Sequence, residues 1–116
     1  MQNSRLSLSF RYYRKETKMG KRENSIQPDI IKEIEQRYPN CIVLKNDANY
    51  KQGIPDLTVF YRDKYAMLET KKDKDARYRP NQETYLKIVD HWSFARRIEP
   101  ENKEEVLNEL DAFFGV

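Results

Sequence analysis

The sequence has only one cysteine and one histidine among its 116 residues, and this scarcity excludes several kinds of site. A single thiol, Cys41, cannot form an intramolecular disulfide, and it suits a reducing cytoplasm, where we expect the protein to work. One histidine, His91, cannot build a histidine-based metal cluster. No stretch is long and apolar enough to span a membrane, and residues 6–10 are too short and polar for a signal-peptide core.

Apolar residues are also sparse, since 38% of the chain is hydrophobic and 35% is charged. Apolar positions nevertheless recur with helical and strand periods, which argues against wholesale disorder. A chain of 116 residues fits one domain with a single modest core.

Positive charge is concentrated at the start of the chain. Residues 1–22 carry seven cations against Glu16, a net charge of +6, which leaves −3 for the remainder of a chain whose net charge is +3. We therefore expect a basic amino-terminal arm or tail, residues 1–22, and a single domain, residues 23–116. The arm has three interpretations that stay open: a contact along a phosphate backbone, a segment exchanged between dimer subunits, or a tail without a fixed place.

Hydrophobic periodicity predicts the element order helix, three strands, helix, strand, helix. The strands are predicted over residues 41–45, 57–61, 65–68 and 93–98, and the first helix over about residues 25–38. This order indicates an α/β fold, a small sandwich in which the last two helices cover the sheet. We also expect Trp92 and Phe94 in the core, and a capping box in which Asn102 and Glu105 start the last helix.

Two acidic residues and a lysine flank the predicted central hairpin. Asp56 precedes one strand, and Glu69 and Lys71 lie at the end of the next strand, where alternation places both on one face. A two-residue turn at Asp63-Lys64 would pair Thr58 with Glu69. The same register would pair Asp56 with Lys71 and make the two carboxylates diagonal neighbours about 7–8 Å apart. A three-residue turn would send Asp56 to the opposite face.

This combination of side chains suits phosphodiester hydrolysis. Carboxylate oxygens with few other protein ligands are typical of Mg²⁺, which retains waters and accepts phosphate oxygens, with Mn²⁺ as a substitute. Lys71 could orient the attacking water or stabilise developing charge. The alternative is an Asp–Lys–Glu ladder of salt bridges on a solvated sheet face.

Four short motifs resemble, in order, those of the PD-(D/E)XK nuclease superfamily and its virus-type replication-repair (VRR-NUC) branch. They are Glu23-Asn24-Ser25-Ile26-Gln27, Gly53-Ile54-Pro55-Asp56-Leu57, Leu68-Glu69-Thr70-Lys71 and Pro80-Asn81-Gln82. The resemblance covers about residues 23–98 and implies a restriction-endonuclease-like α-β-β-β-α-β core with a mixed sheet, followed by a C-terminal helix.

The resemblance also implies roles for individual residues. Asp56 and Glu69 would bind Mg²⁺, with the backbone carbonyl of Thr70 as a third ligand. Glu23 would add an acidic group near the metal, held by Gln27, although a helix-dipole role explains Glu23 as well. Gln82 would make a polar contact to the active site; surface polarity is the competing explanation.

Candidate contacts to a nucleic acid lie in two predicted loops, where plain solvation is the alternative. They are Lys45, Asn46 and Lys51 in the first loop, and Lys72, Lys74, Arg77, Tyr78 and Arg79 in the second.

Together these features predict a Mg²⁺-dependent endonuclease acting on DNA, selective for junctions, flaps or branches because little chain remains to read base sequence. RNA stays open as a substrate, because no residue evidently reads the sugar hydroxyl. We expect a homodimer with no membrane contact, and the resemblance adds viral replication, recombination or repair in the host cytoplasm. The alternatives are an inactive nucleic-acid-binding protein on the same fold and a non-enzymatic viral interaction protein.

Overall fold

The computed structural model describes residues 26–116, so Glu23 and the basic segment of residues 1–22 lie outside the described residues. Three helices and four strands follow one another as α1 (Gln27–Arg37), β1 (Ile42–Lys45), β2 (Leu57–Tyr61), β3 (Lys64–Thr70), α2 (Gln82–Trp92), β4 (Ala95–Ile98) and α3 (Lys103–Phe114). Over these residues the element order is the one that the periodicity predicts. No helix of residues 26–116 is long and apolar enough to cross a membrane.

The strands form one mixed sheet in the order β1-β2-β3-β4. The pairs β1–β2 and β2–β3 are antiparallel, and β3–β4 is parallel. A parallel pair requires a crossover connection, which α2 supplies. The structure is therefore an α/β fold with an open four-stranded sheet.

Helices cover both faces of the sheet, with α1 and α3 on one face and α2 on the other. The larger core contains Ile30, Ile31, Ile34, Tyr38, Leu57, Val59, Tyr61, Ala66, Leu68, Phe94, Ile98, Val106, Leu107, Leu110 and Phe114. The smaller core, under α2, contains Met67, Leu86, Val89 and Ala95. The expectation that the last two helices cover the sheet is incomplete, because α1 buries its isoleucines beside α3.

Two helix ends follow the expected local chemistry, and one predicted cap does not form. Pro28 lies in the first turn of α1, where a missing amide hydrogen costs nothing, and Gly115 ends α3 in a left-handed conformation. The predicted capping box at Asn102 is wrong, because that side chain makes no cap hydrogen bond. Its Oδ1 instead accepts a hydrogen bond from the Glu99 amide, and its Nδ2 donates to the Arg97 carbonyl.

Phe94 is buried as expected, but Trp92 is wrong as a core residue, since it is 69% exposed. Trp92 is the last residue of α2. The buried side of α2 is formed instead by Gln82, Leu86 and Val89. Helical spacing places Trp92 beside this row, on the flank of the helix.

The hairpin between β2 and β3 has a two-residue turn, but the predicted position of that turn is wrong. Tyr61 pairs with Lys64, so the turn is Arg62-Asp63 rather than Asp63-Lys64. Arg62 takes a positive φ of 58°, and its guanidinium lies 4.8 Å from the centre of the Tyr61 ring. This contact accompanies a turn that begins one residue earlier than expected.

The earlier turn shifts the pairing by two residues, which preserves the facing of every side chain. Thr58 now lies opposite Met67 instead of Glu69. Continuing the same register beyond the strand places Asp56 opposite Glu69 rather than opposite Lys71. The extended register therefore sets the two residues directly across from each other instead of diagonally.

Paired cysteines test this register directly. In a Cys41→Ser background, we expect Phe60→Cys with Tyr65→Cys to form a disulfide on mild oxidation, because these residues are direct partners and directly opposed Cα atoms lie about 4.5–5.5 Å apart. Non-reducing electrophoresis and mass spectrometry of the intact protein measure the cross-link.

Phe60→Cys with Met67→Cys is the matched control, since those residues would pair only if Asp63-Lys64 formed the turn. In the observed register they are diagonal, about 7–8 Å apart, which is too far for a disulfide. Efficient cross-linking of the control pair alone would show that the register is shifted.

Candidate active site

Asp56 is held against the end of β3 by Thr70. Asp56 Oδ2 accepts hydrogen bonds from the Thr70 amide at 3.1 Å and from Thr70 Oγ1 at 2.7 Å. Gln27 of α1 reaches the same hydroxyl, with Nε2 at 3.4 Å from Oγ1. Asp56 therefore lies at the sheet edge where β2 begins and β3 ends, the place in which the sequence predicts it.

Glu69 is a buried carboxylate that is only partly satisfied. Its exposed fraction is 2%. Oε2 accepts a hydrogen bond from Gln82 Nε2 at 2.9 Å and lies 3.5 Å from Lys71 Nζ. Within residues 26–116, Oε1 has no hydrogen-bond partner. Burial, and after it the charge of Asp56, raises the pKa of Glu69 to about 7, although Lys71 acts in the opposite direction.

Gln82 joins the acidic and basic members of the site. While its amide nitrogen binds Glu69, its Oε1 accepts hydrogen bonds from Lys71 Nζ at 2.8 Å and from the Arg79 amide at 2.7 Å. Gln82 is the first residue of α2 and is itself buried. The structure therefore brings Asp56, Glu69, Lys71 and Gln82 together in one cluster.

A glycine allows the two loops of the site to meet. Gly53 has a φ of +92°, and a Cβ atom there would lie 2.5 Å from Asn81 Cβ and 2.9 Å from the Pro80 carbonyl oxygen. No other residue fits this space without displacing the backbone. The close approach fixes the segment leading to Asp56 against the start of α2, and so against Gln82.

Two residues at the end of β1 also reach the site. Asn46 Nδ2 donates to the Pro55 carbonyl and to Thr58 Oγ1, each at 2.8 Å, so that its carboxamide supports the Asp56 segment. Burial lowers the pKa of Lys45 to about 8, and the nearby charge of Asp56 partly offsets this effect. Lys45 is thus a cation beside the carboxylates.

The remaining predicted contacts lie around this cluster. Lys51 Nζ is 6.0 Å from the centre of the Tyr85 ring. The cations that follow Lys71 are all exposed: Lys72, Lys74, Arg77 and Arg79. The guanidinium carbon of Arg97 lies over the Tyr78 ring, 5.1 Å from the ring centre. Glu23 is the one predicted site residue outside the described residues.

Arg97 and Glu99 are near the site but were not predicted as part of it. Arg97 pairs with Glu69 between the parallel strands β3 and β4, and it is hydrogen-bonded to Glu99 at 2.6 Å. The sequence contained one signal, because alternation along β4 places Arg96 and Arg97 on opposite faces. Their partners depend on the register between β3 and β4, which the sequence pattern does not reveal.

The acidic side chains of the cluster are the ones that could contribute oxygen ligands to a cation. Asp56 and Glu69 offer carboxylate oxygens at one edge, and the buried Oε1 of Glu69 has no donor among residues 26–116. In the described part of the chain, no group of three or more His, Cys, Asp or Glu side chains could hold a metal ion. Any cation bound by these residues alone would therefore have two side-chain carboxylate ligands.

Comparison of the chain with protein-family models, with curated proteins and with solved structures gave no match. The class that the structure defines is an α/β domain with a mixed four-stranded sheet. The resemblance to PD-(D/E)XK nucleases therefore stays a prediction from the sequence motifs alone.

We expect Gly53→Ala to destabilise the protein by about 2–3 kcal/mol, because the added methyl group meets backbone atoms and the residue must also keep a positive φ. Chemical denaturation measures the loss. Gly115→Ala is the matched control, since Gly115 has a φ of +77° but no atom within 4 Å of its added Cβ. Its cost is the backbone strain alone, about 1 kcal/mol. Equal losses in the two variants would contradict a tight contact at Gly53.

In chelator, the contribution of Glu69 to the free energy of unfolding should fall as the pH rises from about 4.5 to about 7. Folded Glu69 keeps its proton up to about pH 7, whereas the unfolded side chain loses it near its ordinary pKa of 4.5. The folded state therefore binds more protons in this window, and raising the pH favours unfolding.

Glu69→Gln mimics the protonated side chain. We expect it to flatten this pH dependence and to raise the melting temperature at pH 8, measured by circular dichroism. A variant less stable than the wild type at pH 8, with the same pH dependence, would show that the carboxylate is not destabilised by its surroundings.

Proposed function

We propose that the protein is a Mg²⁺-dependent nuclease that hydrolyses phosphodiester bonds in DNA, on a restriction-endonuclease-like core. One observation supports the proposal: a carboxylate that is 2% exposed, and that has an oxygen without a partner among residues 26–116, lies beside a second carboxylate and a lysine. A salt-bridge ladder on a solvated face, the plain alternative, would not bury Glu69 or raise its pKa to about 7. Strongly perturbed ionisable groups of this kind cluster at functional sites.

Asp56 and Glu69 would hold the cation. When bound, Mg²⁺ would neutralise charge on the phosphate and lower the pKa of a water molecule. Glu69 must be ionised to serve as a ligand, so protons compete with the cation below about pH 7. The Thr70 carbonyl is the proposed third ligand, and Glu23 a further acidic group near the cation.

Lys71 is proposed to orient the attacking water or to stabilise the charge that develops on the phosphate. Its ammonium is held in place by Gln82 Oε1 at 2.8 Å. Gln82 thereby acts on both sides of the reaction centre, since its amide nitrogen also orients Glu69. This dual contact supports the assignment of Gln82 as a positioning residue.

DNA is proposed to approach across the two loops beside the carboxylates. Lys45 comes from the end of β1 and Lys51 from the loop that follows, while the second loop supplies the exposed cations Lys72, Lys74, Arg77 and Arg79. Such residues contact phosphates rather than base edges, so they favour recognition of DNA shape, such as a junction or flap. A twofold dimer would allow two symmetry-related cuts. The proposed context, which rests on the motif resemblance alone, is viral replication, recombination or repair.

The test is cleavage of branched, flapped, single-stranded and duplex DNA in Mg²⁺, followed by the same reactions in chelator. We expect Asp56→Asn to reduce cleavage to background and Lys71→Met to lower the single-turnover rate constant by about 10²–10³-fold, the usual cost of removing one electrostatic contact to a transition state. Gel assays under single-turnover conditions measure both rates.

DNA binding in chelator should survive in both variants, because neither removes the exposed cations of the second loop. Lys87→Met is a suitable control, since it removes a lysine from the exposed side of α2. If the wild type cuts none of these substrates, or if Asp56→Asn cuts as fast as the wild type, the hydrolytic assignment is wrong. Binding without cleavage would indicate the inactive DNA-binding protein instead.

A further inference from the structure

We propose that Arg97 and Glu99 are positioning residues whose ion pair holds the loop of residues 71–79 in the shape that presents its cations to a DNA backbone. This inference rests on the proposed function, because it assigns DNA as the partner of that loop. It adds to that function a pair of residues that would contact neither the substrate nor a cation bound by Asp56 and Glu69.

The ion pair reaches the backbone of the loop directly. Arg97 Nε donates to Glu99 Oε2 at 2.6 Å, while Arg97 Nη2 donates to the carbonyl oxygens of Asp73 at 3.0 Å and Lys74 at 3.1 Å. Both side chains are largely buried, with exposed fractions of 16% and 10%. A guanidinium can hold several acceptors at once in fixed directions, which a lysine ammonium cannot do in the same way.

The second half of the loop rests on the same guanidinium. Arg97 lies 5.1 Å from the centre of the Tyr78 ring, within the range of a cation–π contact. The ends of the loop are fixed separately, by the Lys71 amide on the Ile98 carbonyl at 2.9 Å and by the Arg79 amide on Gln82 at 2.7 Å. Arg97 is therefore the contact that fixes the middle of the loop.

This arrangement separates two kinds of cation. Lys72, Lys74, Arg77 and Arg79 are exposed, with Asp75 as the exposed anion among them. Arg97 is instead bound to protein acceptors and is shielded from solvent. A loop that is already ordered loses less conformational entropy when it binds a ligand, so its affinity is higher. Arg97 would strengthen DNA binding through the loop rather than by its own charge.

A direct contact between Arg97 and phosphate is the rival explanation. The two explanations predict opposite changes in DNA affinity for Glu99→Gln. Removing the Glu99 charge breaks the ion pair and so weakens the hold on Arg97, whose remaining acceptors are the Asp73 and Lys74 carbonyls. It also takes a negative charge away from the side proposed to face DNA. A direct contact would then bind DNA more tightly, because the attraction to phosphate increases. Loss of positioning would make binding weaker despite the more favourable net charge.

The experiment measures the affinity for fluorescently labelled duplex and branched DNA by anisotropy, in chelator, with the full chain. We expect Kd to rise about tenfold for Arg97→Gln and for Glu99→Gln, equivalent to about 1.4 kcal/mol. Arg97→Lys keeps the charge but lacks the fork, so it should be weakened as well.

Arg96→Gln is the matched control. Arg96 precedes Arg97 on β4, points to the opposite face, and pairs with Asp90 and Glu109 instead of the loop. We expect its Kd to equal that of the wild type. Trypsin should cut faster after the basic residues of loop 71–79 in folded Arg97→Gln than in folded Arg96→Gln, a readout that needs no DNA.

Three results would overturn the proposal: tighter or unchanged binding by Glu99→Gln, wild-type affinity in Arg97→Lys, or equal weakening by Arg96→Gln. If Arg97→Gln does not fold, Glu99→Gln and Arg97→Lys decide the matter. The nuclease proposal can fail separately, since binding in chelator is measured without cleavage. If the wild type binds no DNA, the positioning role is wrong whatever the protein cuts.

Discussion

Burying the carboxylate of Glu69 beside Asp56 costs free energy, and the neighbouring residues offset only part of that cost. Gln82 and Lys71 satisfy Oε2, whereas Oε1 has no donor within the described chain. A buried acceptor without a partner is expensive, and a like charge nearby increases the cost. A fold under selection for stability alone would replace Glu69 with an apolar residue. Under the proposed function, a cation bound by Glu69 would offset this cost.

Close contacts fix the two loops that lie next to Glu69. Gly53 allows the loop before β2 to touch Pro80 and Asn81, and Asn46 holds that same loop through the Pro55 carbonyl. These contacts bring the end of β1, the start of β2 and the start of α2 to one edge of the sheet. These contacts involve mainly backbone atoms and a half-buried amide, and they fix the positions of Asp56 and Gln82 within the protein itself. Such preorganisation is what electrostatic catalysis requires.

Much of this arrangement could be predicted from local patterns. The strand Leu57–Tyr61 was predicted with its observed bounds, and alternation correctly placed Glu69 and Lys71 on one face. The position of the turn could not be predicted, because Arg62 adopts a positive φ that its residue type disfavours. The predicted facing of the side chains is nevertheless unaffected, because side chains alternate with a period of two and the pairing shifts by two residues.

Other features depend on relations between distant segments, and sequence patterns are silent about them. Helical spacing puts Trp92 in an apolar row of α2, but it does not show which flank of that helix meets the sheet. Likewise, the role of Arg97 depends on the parallel register that pairs it with Glu69, and on a loop that returns within reach of its guanidinium. Asn102 is predicted to cap α3, but its side chain is hydrogen-bonded instead to the Glu99 amide and the Arg97 carbonyl in the turn after β4.

The charge distribution gives the loop of residues 71–79 its importance. The whole chain has a net charge of +3, and residues 1–22 have +6, so residues 23–116 have −3. A domain with this net charge attracts a polyanion only where its cations are locally concentrated. The exposed cations of the loop alternate with aspartates in sequence, and the Asp73 carboxylate is turned back to the Asp75 amide at 2.9 Å. The conformation of the loop, rather than its composition, therefore decides how much positive charge faces outward, and Arg97 lies at the point where that conformation is fixed.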